Sequence, residues 1–86
     1  MITVTVKYMV NLIDRTGRRQ DDVGLPEGSR LSDLAAWLSE NRDLDLPDPK
    51  IMATLNGRGW SQHEEGMETP LSEGDTVLLF PPISGG

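Results

Sequence analysis

The groups able to do chemistry in this sequence gather at its end. Pro81-Pro82-Ile83-Ser84-Gly85-Gly86 follows an apolar run, Thr76-Val77-Leu78-Leu79-Phe80. The reactive group of that segment is the carboxylate of Gly86. At neutral pH a carboxylate is a poor acyl donor until one of its oxygens is esterified to phosphate. Glycine has no Cβ, so a Gly-Gly end can enter a narrow channel and its carbonyl can be attacked from either side. Ser84 to Gly86 reach about 10 Å when extended. The two prolines lack N–H groups and hold the chain extended, so the strand is predicted to stop at Phe80. Residues 1–80 then form one domain, and residues 81–86 leave it as an extended arm. The competing reading is an inert terminus, as many chain ends are.

Other chemistry is poorly supplied. The sequence has no cysteine, which excludes disulfides, thiolate zinc sites, a cysteine nucleophile and a persulfide carried by the chain itself. His63 stands beside Glu64 and Glu65, but one histidine with loop carboxylates is no metal-site pattern, and no metal is expected. Arg15, Arg18 and Arg19 form a basic cluster without a phosphate-binding glycine motif, and Asp14, Asp21 and Asp22 surround them. A solvated hairpin tip is the simpler reading. No spacing brings together a nucleophile, a base and an orienting residue. The formal net charge of -6 argues against nucleic acid and anionic membranes, and suits a partner with a basic docking face. No apolar run approaches membrane-spanning length, and Met1-Ile2-Thr3-Val4 has no signal-peptide layout, so a cytoplasmic protein is expected.

The elements that must position the arm follow from periodicity. Ile2, Val4, Val6 and Tyr8 alternate with Thr3, Thr5, Lys7 and Met9, which predicts a first strand with the former set inward. Val10 to Ile13 continue the apolar character less regularly. Asp14 to Asp22 read as a polar turn, and Gln20 to Leu25 as a thin second strand at an edge. Pro26 and Gly28 stop it. Ser29 is placed to cap a helix over 30–41, with Leu31, Leu34, Ala35 and Leu38 on one stripe and Trp37 beside it. Residues 41–50 read as a crossover loop tacked down by Leu44 and Leu46. Ile51 to Leu55 form a third strand, and Asn56-Gly57 a hairpin turn into a short return strand from Arg58. Ser72-Glu73-Gly74-Asp75 turns the chain into the last strand, Thr76 to Phe80. That strand is apolar on both faces, which predicts a central position. Either the Leu78/Phe80 set or the Val77/Leu79 set is left for docking.

Two strands, a helix and three short strands give an α+β class. Together with the octapeptide Leu79-Phe80-Pro81-Pro82-Ile83-Ser84-Gly85-Gly86, this resembles the MoaD family, the small subunit of molybdopterin synthase. The MoaD and ThiS proteins are ubiquitin-like sulfur carriers. The resemblance implies a β-grasp fold, a mixed sheet of about five strands covered by one main helix. It also implies a relay of partners. An E1-like adenylating enzyme uses ATP to activate the Gly86 carboxylate, beside Gly85, and a sulfur donor enzyme converts it to a thiocarboxylate. The molybdopterin synthase large subunit then receives the sulfur, for a molybdenum or tungsten cofactor. Phe80, Pro81, Pro82, Ile83 and Ser84 are expected to meet these partners. The chain itself is a carrier subunit that binds no cofactor. A ubiquitin-like binding module with an idle tail, a protein modifier joined to lysines, and a carrier for thiamine or cysteine synthesis remain as alternatives.

Overall fold

The computed structural model describes residues 1–82. Five strands form one mixed sheet: β1 (Ile2–Tyr8), β2 (Gln20–Leu25), β3 (Met52–Leu55), β4 (Arg58–Gly59) and β5 (Thr76–Phe80). Their order is β2-β1-β5-β3-β4, with β1 and β5 parallel and the other neighbours antiparallel. This is the expected β-grasp arrangement, with β5 central and β2 at an edge. No helix among the described residues is long and apolar enough to cross a membrane.

The main helix, α2 (Leu31–Arg42; α1 is described below), buries Leu31, Leu34, Ala35 and Leu38. They join Val4, Val6, Val23, Val77 and Leu79 in one core, so the helical stripe and the strand alternation meet as predicted. The cap differs from the expectation. Arg30, not Ser29, is the residue before the first turn, and its N–H donates to Asp33 Oδ2 at 2.8 Å. The Ser29 hydroxyl donates instead to the Pro26 carbonyl at 2.7 Å. A carboxylate three residues into the helix is the stronger acceptor for the free N–H, and it starts the helix one residue later.

The second difference follows β1. Residues 11–13 do not extend the strand. They open a short helix, α1 (Asn11–Thr16), closed by Gly17 at φ 76°, whose N–H donates to the Ile13 carbonyl at 2.8 Å. Leu12 is buried, and Thr16 Oγ1 bonds back to the Leu12 carbonyl at 2.8 Å. Three apolar residues in four fit either period, and burial of Leu12 decides for the helix. The turn from β1 to β2 is therefore a helix and a few residues, not an open hairpin tip. The strands still pair as expected, from Ile2 with Leu25 to Lys7 with Gln20. Beyond α2, Leu44 is buried and Leu46 half-buried, which tacks the crossover to the body.

Candidate functional site

The tail base is set by the strand that leads into it. Val77 and Leu79 of β5 are fully buried, whereas Thr76, Leu78 and Phe80 are half-buried on the opposite face. The choice that the sequence left open is thereby made: Phe80 belongs to the outer face and not to the core. β5 is hydrogen-bonded on both sides, to β1 and to β3. The Asn56-Gly57 turn, with φ of 50° and 88°, ties its beginning. Asn56 N–H donates to the Thr76 carbonyl at 2.8 Å, and Thr76 N–H donates to Asn56 Oδ1 at 2.9 Å.

Strand register builds a surface around Phe80. Phe80 pairs with Met52 of β3. On the other side, Lys7 pairs with Leu78 and Tyr8 with Leu79, so Met9 follows level with Phe80. Met9 N–H donates to the Leu79 carbonyl at 3.0 Å, which holds it there. Met9, just past the end of β1, thus forms a row with Phe80 of β5 and Met52 of β3 where the tail departs. Met9 is 44% and Met52 46% exposed, so the row carries accessible apolar side chain. The next row inward is Lys7, Leu78 and Thr54, and beyond it Thr5 pairs with Thr76. Apolar character therefore falls away with distance from the tail. Pro81 is half-buried and Pro82 exposed. Ile83, Ser84, Gly85 and Gly86, four of the residues that the sequence singles out, lie outside the described residues.

The end of β1 nearest the tail is anchored from the inner face. Asp21 of β2 is buried and accepts from the Tyr8 hydroxyl at 2.6 Å, from Arg42 Nε at 2.7 Å and Arg42 Nη2 at 2.8 Å, and from Arg18 Nη1 at 2.8 Å. The Arg42 guanidinium holds the Asp21 carboxyl well below the usual carboxylate range. Burial, reinforced by the Asp21 charge, pushes the Tyr8 phenol above its ordinary value. Arg42 also lies over the Trp37 ring, 5.0 Å from its centre, and Trp37 packs half-buried against the core. In the sequence Asp21 reads as part of the polar turn around the arginines. Its alternation with Val23 and Leu25 was the available signal.

The remaining candidates have structural roles or none. Arg15 donates to the Asp43 carbonyl and Arg18 to Asp21, so no basic cluster is presented as a unit. No group of histidine and carboxylate residues among the described residues could hold a metal ion. A groove of about 330 Å³ runs between Leu46, Ile51, Met52, Trp60 and Met67. Among the described residues Asp48 is the one ionisable group lining it, so these residues offer no acid–base pair there.

Known proteins resemble the chain over nearly all its length. The sequence model of the ThiS family matches residues 6–86. A putative molybdopterin converting factor subunit 1 from Pyrococcus furiosus superposes with a TM-score of 0.79 at 25% identity, over 96% of this chain and 100% of that one. The small archaeal modifier protein 1 from Methanosarcina acetivorans gives 0.76 at 26% identity, over 100% and 98%. A chain from the complex of subunits 1 and 2 of molybdopterin-converting factor from Helicobacter pylori gives 0.68 at 24%, over 99% and 100%, a likeness of fold. No curated protein matches the sequence significantly.

Proposed function

The chain belongs to the ThiS family of ubiquitin-like sulfur carriers and modifiers, and from that premise we propose that it carries sulfur as a thiocarboxylate on Gly86 and serves as the small subunit of a molybdopterin synthase. The observation that carries the proposal is the family match running through the Gly85-Gly86 pair, on a tail rooted in the central strand. The likeness to a converting factor subunit 1 favours the molybdopterin branch, and in the Helicobacter pylori complex such a subunit is joined to a subunit 2.

The chemistry divides between the chain and its partners. A Gly86 carboxylate oxygen attacks the α-phosphorus of ATP on an E1-like enzyme, and pyrophosphate leaves. The acyl adenylate has AMP as a good leaving group. Sulfur at the sulfide level, supplied by a donor enzyme, attacks the acyl carbon; the C–O bond to AMP breaks, AMP leaves with the electron pair, and the thiocarboxylate remains. This chain contributes an unhindered acyl carbon, a fixed origin for the arm and an apolar row for docking. The partners contribute nucleotide binding and acid–base groups.

Intact mass after incubation with the adenylating enzyme of the same organism, ATP and a sulfur donor tests the proposal. The expected gain is one sulfur in place of one oxygen, abolished by deleting Gly86. One residue added after Gly86 moves the carboxylate by about 3.5 Å and is expected to abolish it too. An enzyme that is active on another carrier but leaves this chain unmodified would refute the reading. The likeness to a small archaeal modifier protein favours a second reading, attachment of Gly86 to lysines of other proteins. Isopeptide-linked adducts that depend on Gly86 would identify it.

A further inference from the structure

We propose that Met9 and Met52 are a paired oxidation site, at which peroxide converts both thioethers to sulfoxides and so releases the carrier from its partners until a reductase restores them. The inference rests on the carrier reading above. The chain has four methionines and no cysteine. The thioethers are therefore its only oxidisable side-chain sulfur, and the sulfoxide is a reversible product. The four stand in different places. Met67 is half-buried in the groove with Leu46 and Trp60. Met1 is 80% exposed, but it precedes β1 at the end remote from the tail. Met9 and Met52 are distant in sequence, yet the pairing of β5 with β1 and β3 sets one on each side of Phe80. Neighbouring strands lie about 4.8 Å apart, so two accessible thioethers flank one aromatic ring.

The step consumes one peroxide for each sulfur. A sulfur lone pair takes one peroxide oxygen, the O–O bond breaks, sulfur loses two electrons, and the second oxygen leaves as water. The product carries a strong acceptor oxygen in a row that was apolar. An apolar partner surface offers that oxygen no donor, so covering it is costly. The domain is spared, because neither Met9 nor Met52 belongs to the buried core. Oxidation at this pair thus acts on recognition and leaves folding alone. Reversal takes two electrons and two protons from a thiol reductant, and the oxygen leaves as water. The cargo gives the site its use. Sulfur at the sulfide level on Gly86 is open to the same oxidant, so a carrier that disengages under peroxide is not loaded with sulfur it would lose.

The test oxidises the free carrier with hydrogen peroxide, removes the excess with catalase, and maps the added oxygen by peptide mass. Met1 is expected to react first, Met9 and Met52 next, and Met67 last. The measurements are the KM for the carrier in ATP–pyrophosphate exchange, with the untreated adenylating enzyme of the same organism, and the urea midpoint. Oxidation of Met9 and Met52 is expected to raise the KM about tenfold with the midpoint nearly unchanged. Methionine sulfoxide reductases A and B with dithiothreitol, one for each epimer, should return the KM to its starting value. A chain with Met9→Leu and Met52→Leu is compared with itself before and after peroxide. Its KM should stay where it began, although Met1 still gains oxygen. Unchanged KM in the oxidised wild-type chain overturns the proposal. A rise that persists in the doubly substituted chain overturns it too, because the sensitive residue then lies elsewhere. A fall in the urea midpoint that accompanies the rise assigns the effect to unfolding and overturns it as well. Failure of the untreated chain to support any exchange refutes the carrier reading and this proposal with it; every other outcome leaves that reading standing.

Discussion

Phe80 and Leu79 are adjacent in sequence and opposite in role, so truncating each in turn tests the division between core and docking face. Leu79 is fully buried on the inner face of β5. Leu79→Ala leaves a cavity among Val77, Leu38 and their neighbours, and such changes cost about 2–5 kcal/mol. Phe80 is half-buried on the outer face, where water fills the space that truncation leaves. Complete burial of such a side chain stabilises by ~1.5–3 kcal/mol. Half of that, about 1 kcal/mol, is the expected cost of Phe80→Ala, without a cavity term. Binding should show the reverse order of importance. An aromatic anchor at the centre of an interface contributes about 2 kcal/mol or more on truncation, or roughly thirtyfold in affinity. Urea unfolding gives the first quantity, and the KM of the carrier in adenylation gives the second. Equal destabilisation by the two substitutions would refute the assignment of faces. A stable Phe80→Ala chain with unchanged KM would refute the docking role of the row.

Further outcomes follow from the core and the buried charge. Leu34→Ala is expected to cost about 2–4 kcal/mol, read from the shift of the urea midpoint, since Leu34 lies fully buried on α2. Asp21→Ala leaves Arg42 without its partner and is expected to cost about 3 kcal/mol by the same measurement. The Asp21 carboxyl is held below its unfolded value near 3.9, so its stabilisation is present above about pH 4 and is lost as pH falls through the folded value. The Tyr8 phenol is raised, so its contribution is present below about pH 10 and is lost as pH rises through the folded value. Unfolding midpoints across both ranges check the signs. Asp21→Asn should flatten the acid limb and Tyr8→Phe the alkaline one.

The sequence was most legible where one local signal had one meaning. Period two in Ile2 to Tyr8, the stripe of Leu31, Leu34, Ala35 and Leu38, and the Asn56-Gly57 turn each emerge as predicted. The terminal motif carried the family, because Pro81-Pro82 and Gly85-Gly86 have few other uses together. Legibility failed where tertiary partners decide. The residues 11–13 fit strand or helix until Leu12 finds the core. Asp21 looks like turn composition because Arg42 stands 21 positions away on α2. The outer face of β5 could not be chosen, since both of its sets are apolar. The row of Met9, Phe80 and Met52 was invisible for a stronger reason. It is assembled by the pairing of β1, β5 and β3, strands that are distant in sequence.

That assembly also explains why the arm leaves from β5 and not from an edge. A carrier that presents one carbonyl to several enzymes needs a fixed origin for its tail, since displacement at the base is carried to the tip. An edge strand is bonded on one side and frays at its end. β5 is bonded to β1 and β3, and Met9 N–H on the Leu79 carbonyl secures the last turn of the ladder. Tyr8 and Asp21 in turn pin the end of β1 beneath that point. The same construction places Met9, Phe80 and Met52 beside the exit, so that apolar row and the strand that leads into the tail form one unit. Recognition of the sheet therefore fixes where the tail begins. The prolines at 81 and 82 then limit the direction in which the chain leaves the strand.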